Sequence, residues 1–211
     1  METIVTGFIK VIPSVLWFLL FIIILITNRQ SIRELLMKIG SFEAAGVKLT
    51  IVRDWMDTAI QLAEKSPQWK VAISAEEKER ALNRAKKHIA LFKGVQILWV
   101  DDHPENNLNE RRMFRQLNVD IDTAKSTEEA LDMLKNGRYD LIISDMARDN
   151  QPDAGIEFLQ RFHKENKTIP VIFYMGIFNP ESGVPPLAFG ATNRPDELLH
   201  LTLDVLERKK D

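Results

Sequence analysis

Residues 95–102, VQILWVDD, join a run of apolar side chains to a pair of aspartates. Apolar residues at consecutive positions are typical of a parallel strand that helices cover on both faces. A second stretch of this kind, residues 139–145 (YDLIISD), ends in Asp145. In a doubly wound sheet, ligands bind outside the carboxyl ends of the strands. We therefore expect Asp101, Asp102 and Asp145 to lie where chemistry takes place.

Strand and helix patterns alternate from Val95 onwards, which predicts an α/β fold with a doubly wound, parallel, five-stranded sheet. Only Gly190–Asn193 is left for the fifth strand, which is little room. The other predicted strands are residues 96–102, 119–124, 139–145 and 170–175, and the predicted helices are residues 106–117, 127–136, 154–166 and 195–208.

Three carboxylates at one sheet edge repel one another unless a cation neutralises them. Hard oxygen ligands of this kind suit Mg²⁺, which keeps several of its waters. The alternative is that Asp101 and Asp102 cap the following helix, where Pro104 suits a first turn, and that Asp145 caps its own loop. His103 is expected to be an exposed loop residue.

Three motifs resemble the strand ends of response regulator receiver domains: VQILWVDDHPENN (95–107), STEEALDMLKNGRYDLIISDM (126–146) and TIPVIFYMG (168–176). In that family the acidic pair holds Mg²⁺, and the aspartate after the third strand accepts a phosphoryl group. The backbone carbonyl two residues later completes the metal site. The resemblance implies the metal-binding roles for Asp101 and Asp102, the acceptor role for Asp145, and a carbonyl ligand from Ala147.

The sequence departs from the family pattern at two positions. The fourth strand leads to Met175, where the family has a Ser or Thr that bonds the phosphoryl oxygen; Tyr174 or Thr192 would have to do so from another direction. The family also has a Lys before a Pro at the end of the fifth strand. Arg194 precedes Pro195 here, so Arg194 is the expected replacement for that lysine.

Two loops also differ from the family pattern. Pro180, Gly183, Pro185 and Pro186 interrupt the segment that should form the fourth helix of the family fold. The loop after Asp145 is longer than usual, since Gly155 stands ten positions on. Its Arg148 is expected to lie in solvent, or alternatively to meet a phosphoryl group.

The N-terminal segment VIPSVLWFLLFIIILIT (11–27) carries no charge. Together with the preceding residues it predicts a transmembrane helix from about Phe8 to Thr27. A signal peptide and a buried soluble helix are the alternatives. The basic residues Arg29, Arg33 and Lys38 follow the span, which predicts a single-pass protein of a bacterial-type inner membrane with its C-terminal part in the cytoplasm.

Between the span and the α/β part we predict a linker that consists of a short helix, a hairpin and two further helices. A short amphipathic helix ends at Gly40, and a hairpin covers Ser41–Val52 with its turn near Ala45–Gly46. Two helices follow, and the second opens with a capping box at Ser74 and ends at Gly94. Because an isolated hairpin is marginal in water, other copies of the chain are its expected partners, which predicts a homo-oligomer. The predicted domains are residues 1–28, 29–93 and 94–211.

Charge and composition exclude several classes of function. A net charge of −2 gives no basic field for nucleic acid, and the absence of cysteine excludes thiol chemistry and disulfides. The leading hypothesis is a membrane-tethered two-component receiver that a histidine kinase phosphorylates on Asp145, with Mg²⁺. Phosphorylation would change self-association or partner binding, and no catalysis is expected beyond self-phosphoryl transfer and autodephosphorylation. The alternatives are a non-phosphorylated pseudo-receiver that binds a ligand or protein, and an oligomerising membrane effector of a defence system.

Overall fold

A computed structural model describes residues 17, 27–66, 71–164 and 168–209. The chain divides into two compact units, Met1–Gly46 and Val47–Asp211. The predicted boundary at residues 93 and 94 does not coincide with this division. It falls inside the second unit, because the linker helices contribute side chains to the same core as the sheet.

The segment expected to form a hairpin is helical instead. Helix α1 spans Arg29–Lys65 and continues through Gly40 and Ala45–Gly46. Within it, Val52 and Met56 are fully buried on one face. A glycine inside a helix costs about 1 kcal/mol, which is less than burial of one large apolar side chain contributes. The predicted helix end and the predicted hairpin are therefore both wrong, and the hairpin gives no support to oligomerisation.

Helix α2 spans Ala75–Lys87 and begins as the sequence predicts. The Ser74 side chain accepts the backbone N–H of Glu77, and the Glu77 carboxylate accepts the N–H of Ser74, which completes a capping box. A short 3₁₀ turn, Ile89–Phe92, follows the helix, and Gly94 then adopts a φ of 77°. A positive φ of this size favours glycine, so Gly94 ends the helical linker as predicted.

The linker helices and the sheet share one hydrophobic core. Met56 of α1 and Leu82 of α2 are buried in the same cluster as Trp99, Phe114 and Leu199 of the α/β part. Residues of the linker thus cover one face of the sheet together with helices from the α/β part. The second cluster, around Leu98, fills the opposite face.

The sheet has five parallel strands, which confirms the predicted α/β class and strand number. The fifth strand is only three residues long, as the short space before Pro195 predicts. The elements are β1 (Gln96–Val100), α3 (Leu108–Gln116), β2 (Asp120–Ala124), α4 (Thr127–Asn136), β3 (Leu141–Ser144), α5 (Ala154–Lys164), β4 (Val171–Tyr174), β5 (Gly190–Thr192) and α6 (Pro195–Arg208).

The strand order reverses between β1 and β3, which are neighbours in the sheet. From β1 the chain proceeds to β2 on one side, and from β3 it proceeds to β4 and β5 on the other. A crevice forms outside the carboxyl ends of the strands at such a switch point. Asp101 and Asp102 follow β1 and Asp145 follows β3, so all three belong to that crevice.

No α-helix forms between β4 and β5, although every residue from 175 to 189 is described. A three-residue 3₁₀ turn, Pro180–Ser182, takes its place, and Gly183 and Leu187 have positive φ. Prolines lack the backbone donor that a helix needs, so the predicted interruption of this helix is confirmed.

The predicted membrane span, Phe8 to Thr27, lies outside the described residues except for Trp17 and Thr27. Within the described part of the chain, no helix is both long enough and apolar enough to cross a bilayer.

Candidate functional site

Three carboxylates meet at the switch point of the sheet. One oxygen from each of Asp101, Asp102 and Asp145 lies within 4.8 Å of the others. They line a cleft with a volume of 490 Å³, to which Ala147 and Met175 also contribute. The structure thus brings the predicted acidic residues and the predicted carbonyl-bearing residue to one place.

Asp101 is almost fully buried and is held on both carboxylate oxygens. Its Oδ1 accepts the backbone N–H of His103 at 2.7 Å, and its Oδ2 accepts the side-chain amide of Asn107. Asn107 ends the 3₁₀ turn Pro104–Asn107 and is itself buried. Asn107 was not among the predicted site residues; the signal for it is an amide side chain where the next helix begins, close to the strand end. His103 is exposed, as predicted.

Asp102 is held by the loop that follows Asp145. Its Oδ2 accepts the backbone N–H of Asp149 at 2.9 Å. Asp149 and Asn150 have φ values of 50° and 63°, and the flanking Arg148 and Gln151 exchange two backbone hydrogen bonds of 3.1 and 2.8 Å. Positive φ at both central residues defines a tight two-residue turn of the kind that Asp and Asn tolerate. The longer loop predicted after Asp145 is therefore an ordered turn over the cleft.

Asp145 is harder to ionise than an ordinary aspartate. Burial first, and then the charge of Asp101, raise the pKa of Asp145 to about 6. The backbone N–H of Met146 opposes that rise by donating to Oδ1 at 2.7 Å. Burial, with a smaller contribution from Asp102, also raises the pKa of Asp101. The cluster therefore carries mutual repulsion that a cation would relieve.

These residues fit a hard divalent cation. Three carboxylates lie close together, one of them buried, and the main chain of Ala147 lines the same cleft. Oxygen atoms of this kind are the ligands that Mg²⁺ prefers. Capping explains the bond from Asp101 to the N–H of His103. It does not explain why carboxylates from two strand ends converge despite their repulsion.

Arg194 does not line the acidic cleft. Its guanidinium donates to Asp196 at 2.7 Å and to Glu77 of α2 at 2.9 Å, and its backbone N–H donates to Thr192. These bonds, with Asp196 the larger influence, raise the pKa of Arg194 further. The prediction that Arg194 replaces the family lysine is corrected: the nearby carboxylates draw its side chain towards helix α2.

The hydroxyl groups proposed to act in place of Ser or Thr are also engaged elsewhere. Met175 lines the cleft without any hydroxyl. The Tyr174 hydroxyl donates to the buried Glu110 at 2.8 Å, and the Thr192 hydroxyl accepts the N–H of Arg194 at 3.0 Å. Neither Tyr174 nor Thr192 therefore replaces the Ser or Thr hydroxyl that the family has at the position of Met175.

The position of Arg148 differs most clearly from the one predicted from the sequence. It was expected in solvent, yet it is only 3% exposed. Its guanidinium donates to the Ser144 hydroxyl at 2.8 Å and to the Asp145 carbonyl. The other terminal nitrogen donates to the Thr127 hydroxyl at 3.1 Å and to the Ala154 carbonyl at 3.0 Å. The prediction of an exposed side chain is wrong, because neutral oxygens from three elements enclose it.

The family model for the response regulator receiver domain matches residues 97–191. Residues 97–191 are a receiver domain. The match begins in β1 and ends in β5, so it contains Asp101, Asp102, Asp145 and the turn over the cleft. The coarse function that follows is that of a receiver in two-component signalling.

Two curated relatives resemble this receiver domain. They are the sensor protein EvgS of Escherichia coli O157:H7 and that of Escherichia coli strain K12, each 33% identical over 89 residues. The similarity covers 42% of this chain but only 7% of either sensor protein. The receiver domain therefore resembles a small part of much longer proteins.

Solved structures of receivers are also similar. The response regulator TrrA of Thermotoga maritima, in complex with Mg²⁺-BeF, is 26% identical, with a TM-score of 0.47, over 53% of this chain and 98% of that one. The chemotaxis response regulator CheY4 of Vibrio cholerae is 25% identical, with a TM-score of 0.43, over 53% of this chain and 98% of that one.

Proposed function

We propose that this chain is a membrane-tethered signalling receiver in which Asp145 accepts a phosphoryl group beside a bound Mg²⁺. The donor is a histidine kinase or another phosphorylated signalling protein, and the result is a change in self-association or partner binding. The observation that carries the proposal is the convergence of Asp101, Asp102 and Asp145 at the switch point of a receiver sheet.

The residues have distinct roles in this proposal. Asp101 and Asp102 would hold the metal, with the carbonyl of Ala147 as a further ligand, and the Asp145 carboxylate would accept the phosphoryl group. Asn107 orients Asp101, and the N–H of Asp149 orients Asp102, so both carboxylates are fixed before a ligand arrives. Preorganised ligands of this kind reduce the ordering that binding requires.

In the transfer step a carboxylate oxygen of Asp145 attacks the phosphorus atom of the donor. The bond from phosphorus to the donor imidazole nitrogen breaks, and that nitrogen leaves with the bonding electron pair and takes up a proton. Mg²⁺, when bound, neutralises charge on the transferring group. Asp145 must be ionised to attack. Its pKa is raised in the metal-free cleft, and a bound divalent cation would lower that pKa and favour the ionised form.

The membrane tether rests on the uncharged segment 11–27, and the signalling route rests on the shared core. Because α1 and α2 pack against the sheet, we expect a change at the receiver to alter the packing of these helices. Full-length protein should stay with membranes after carbonate extraction. A variant with Leu19→Arg and Ile23→Arg should be released, and equal retention of both would contradict the tether.

A second candidate is a pseudo-receiver that binds a ligand or protein without phosphorylation. Met175 in the cleft and the orientation of Arg194 towards Glu77 and Asp196 favour it, because the usual hydroxyl and cation are both missing from the cleft. In a pseudo-receiver, Asp145 would not accept a phosphoryl group.

Beryllofluoride separates the two candidates because it mimics a phosphoryl group on an aspartate. We expect Mg²⁺ with beryllofluoride to shift the backbone amide NMR signals of residues 145–151 in the wild type and to leave Asp145→Asn unchanged. Asp153→Asn is the matched control, since it removes an exposed acid near the same loop and should respond like the wild type. No response in the wild type, or an equal response in Asp145→Asn, would favour the pseudo-receiver.

A further inference from the structure

The buried cation Arg148 stands beside three carboxylates without bonding to any of their side chains. Its hydrogen bonds all go to neutral oxygens, on Ser144, Asp145, Thr127 and Ala154. None of the ion pairs among the described residues involves Arg148, and its Nε has no hydrogen-bond partner. A buried charge that is not directly paired is costly, so something else must stabilise it.

The acidic cleft supplies that stabilisation. The guanidinium of Arg148 donates to the main-chain carbonyl of Asp145, so its charge is held next to a residue of the carboxylate cluster. Arg148 also lines the same cleft. The guanidinium and the carboxylate cluster therefore stabilise each other through space.

The position of the charge is fixed by the fold. The two terminal nitrogens of Arg148 connect the end of β3, the start of α4 and the start of α5. The ring of Phe158 lies 5.9 Å from the guanidinium carbon on the apolar side. A planar group with two forked donors suits this arrangement, whereas a lysine would keep the charge without the fork.

We propose that Arg148 is the resident counter-cation of the acidic cleft, and that it opposes the binding of a divalent cation there. In the absence of metal it offsets the repulsion among Asp101, Asp102 and Asp145. When a divalent cation enters, the two positive charges repel each other, so Arg148 weakens metal affinity. Only this second part, the weaker metal affinity, rests on the proposed function.

The first test needs no metal. Thermal unfolding of the full chain is measured in EDTA at pH 8 for the wild type, Asp145→Asn, Arg148→Met and the double variant. We expect Asp145→Asn to raise the midpoint by more in the Arg148→Met background, because repulsion is then uncompensated. Arg148→Lys is the control that keeps the charge, and its response to Asp145→Asn should resemble that of the wild type.

If Asp145→Asn raises the midpoint of unfolding equally in all backgrounds, Arg148 serves only to support the fold, and the proposal is overturned. Arg148→Met alone could fail to fold. In that case the double variant with Asp145→Asn must fold, and failure of both would also overturn the proposal.

The second test measures Mg²⁺ affinity by calorimetry at low ionic strength and pH 8. We expect Arg148→Met to bind Mg²⁺ about three- to tenfold more tightly than Arg148→Lys, with the difference shrinking as salt is added. Binding that is equal or weaker in Arg148→Met would overturn the opposition to metal. A wild type that does not bind Mg²⁺ would contradict the proposed function instead, and the result in EDTA would still decide the counter-cation role.

Discussion

At the scale of single residues, the chemistry of the receiver domain depends on the ionisation of Asp145. Burial and Asp101 raise its pKa from 3.8 to about 6 in the folded protein. The folded state therefore binds more protons than the unfolded state between these two values. Stability contributed by the protonated form is present below the unfolded pKa and is lost as the pH rises through the folded pKa.

Replacing Asp145 with Asn should stabilise the metal-free protein at neutral pH. A shift of about two pKa units corresponds to an upper bound of about 3 kcal/mol, and access of solvent to the cleft reduces the expected gain to about 1–2 kcal/mol. Urea unfolding in EDTA should show this gain at pH 7.5 and little of it at pH 4, close to the unfolded pKa of 3.8. A gain that does not change with pH would contradict the assigned cause.

Arg194→Ala tests whether this arginine belongs to the acidic cleft or to the fold. Asp196 is only 2% exposed and would lose its cationic partner, which should cost about 2–4 kcal/mol of unfolding free energy. Mg²⁺ affinity and the beryllofluoride response of the folded variant should stay within twofold of the wild type. Loss of that response with unchanged stability would restore the role of a lysine replacement.

The residue pattern was sufficient to predict Asp101, Asp102 and Asp145, because strand ends share an edge whatever the loops do. It was not sufficient for Arg148 or Arg194. The destination of a long charged side chain depends on which carboxylates and carbonyls the fold brings near, and Glu77 is far from Arg194 in sequence.

At the scale of elements, α1 is the clearest difference between pattern and structure. Phe42, Val47, Leu49 and Ile51 fit an alternating pattern, but Val52, Met56 and Ala63 extend a helical one into the same segment. Short apolar runs fit both periods, and burial of the helical face in the core decides between them. The strands and α4 were predictable because Gly, Pro and capping residues bound them closely.

Gly46→Ala distinguishes the helix from the expected turn. No atom lies within 4 Å of a Cβ added at Gly46, and its φ is not positive. Alanine should therefore stabilise the chain by about 0.5–1 kcal/mol and increase helicity measured by circular dichroism. Destabilisation would indicate a left-handed turn at this position.

At the scale of the whole molecule, the helical linker and the receiver domain belong to one compact unit from Val47 onwards. The reason is the core that Met56 and Leu82 share with Trp99. The boundary predicted before β1 follows the change from a helical to a strand pattern. That change does not reveal which helices pack on the sheet.

Met56→Ala should therefore destabilise the receiver domain and not only its own helix. Met56 is fully buried, so the expected loss is about 2–4 kcal/mol. Hydrogen exchange at the amides of β3 should speed up by the corresponding factor. Leu62→Ala on the same helix is the control, since Leu62 is exposed and its loss should change exchange in β3 very little. Unchanged β3 protection in Met56→Ala would indicate an independent linker.

The central claim is that Asp145 accepts a phosphoryl group. Full-length protein is incubated with acetyl phosphate and Mg²⁺, and the intact mass is measured together with that of Asp145→Asn and Asp153→Asn. We expect the wild type and Asp153→Asn to gain one phosphoryl group. EDTA should abolish the gain, and Asp145→Asn should show none. A wild type that gains no phosphoryl group, or an Asp145→Asn variant that gains one equally, would contradict this claim.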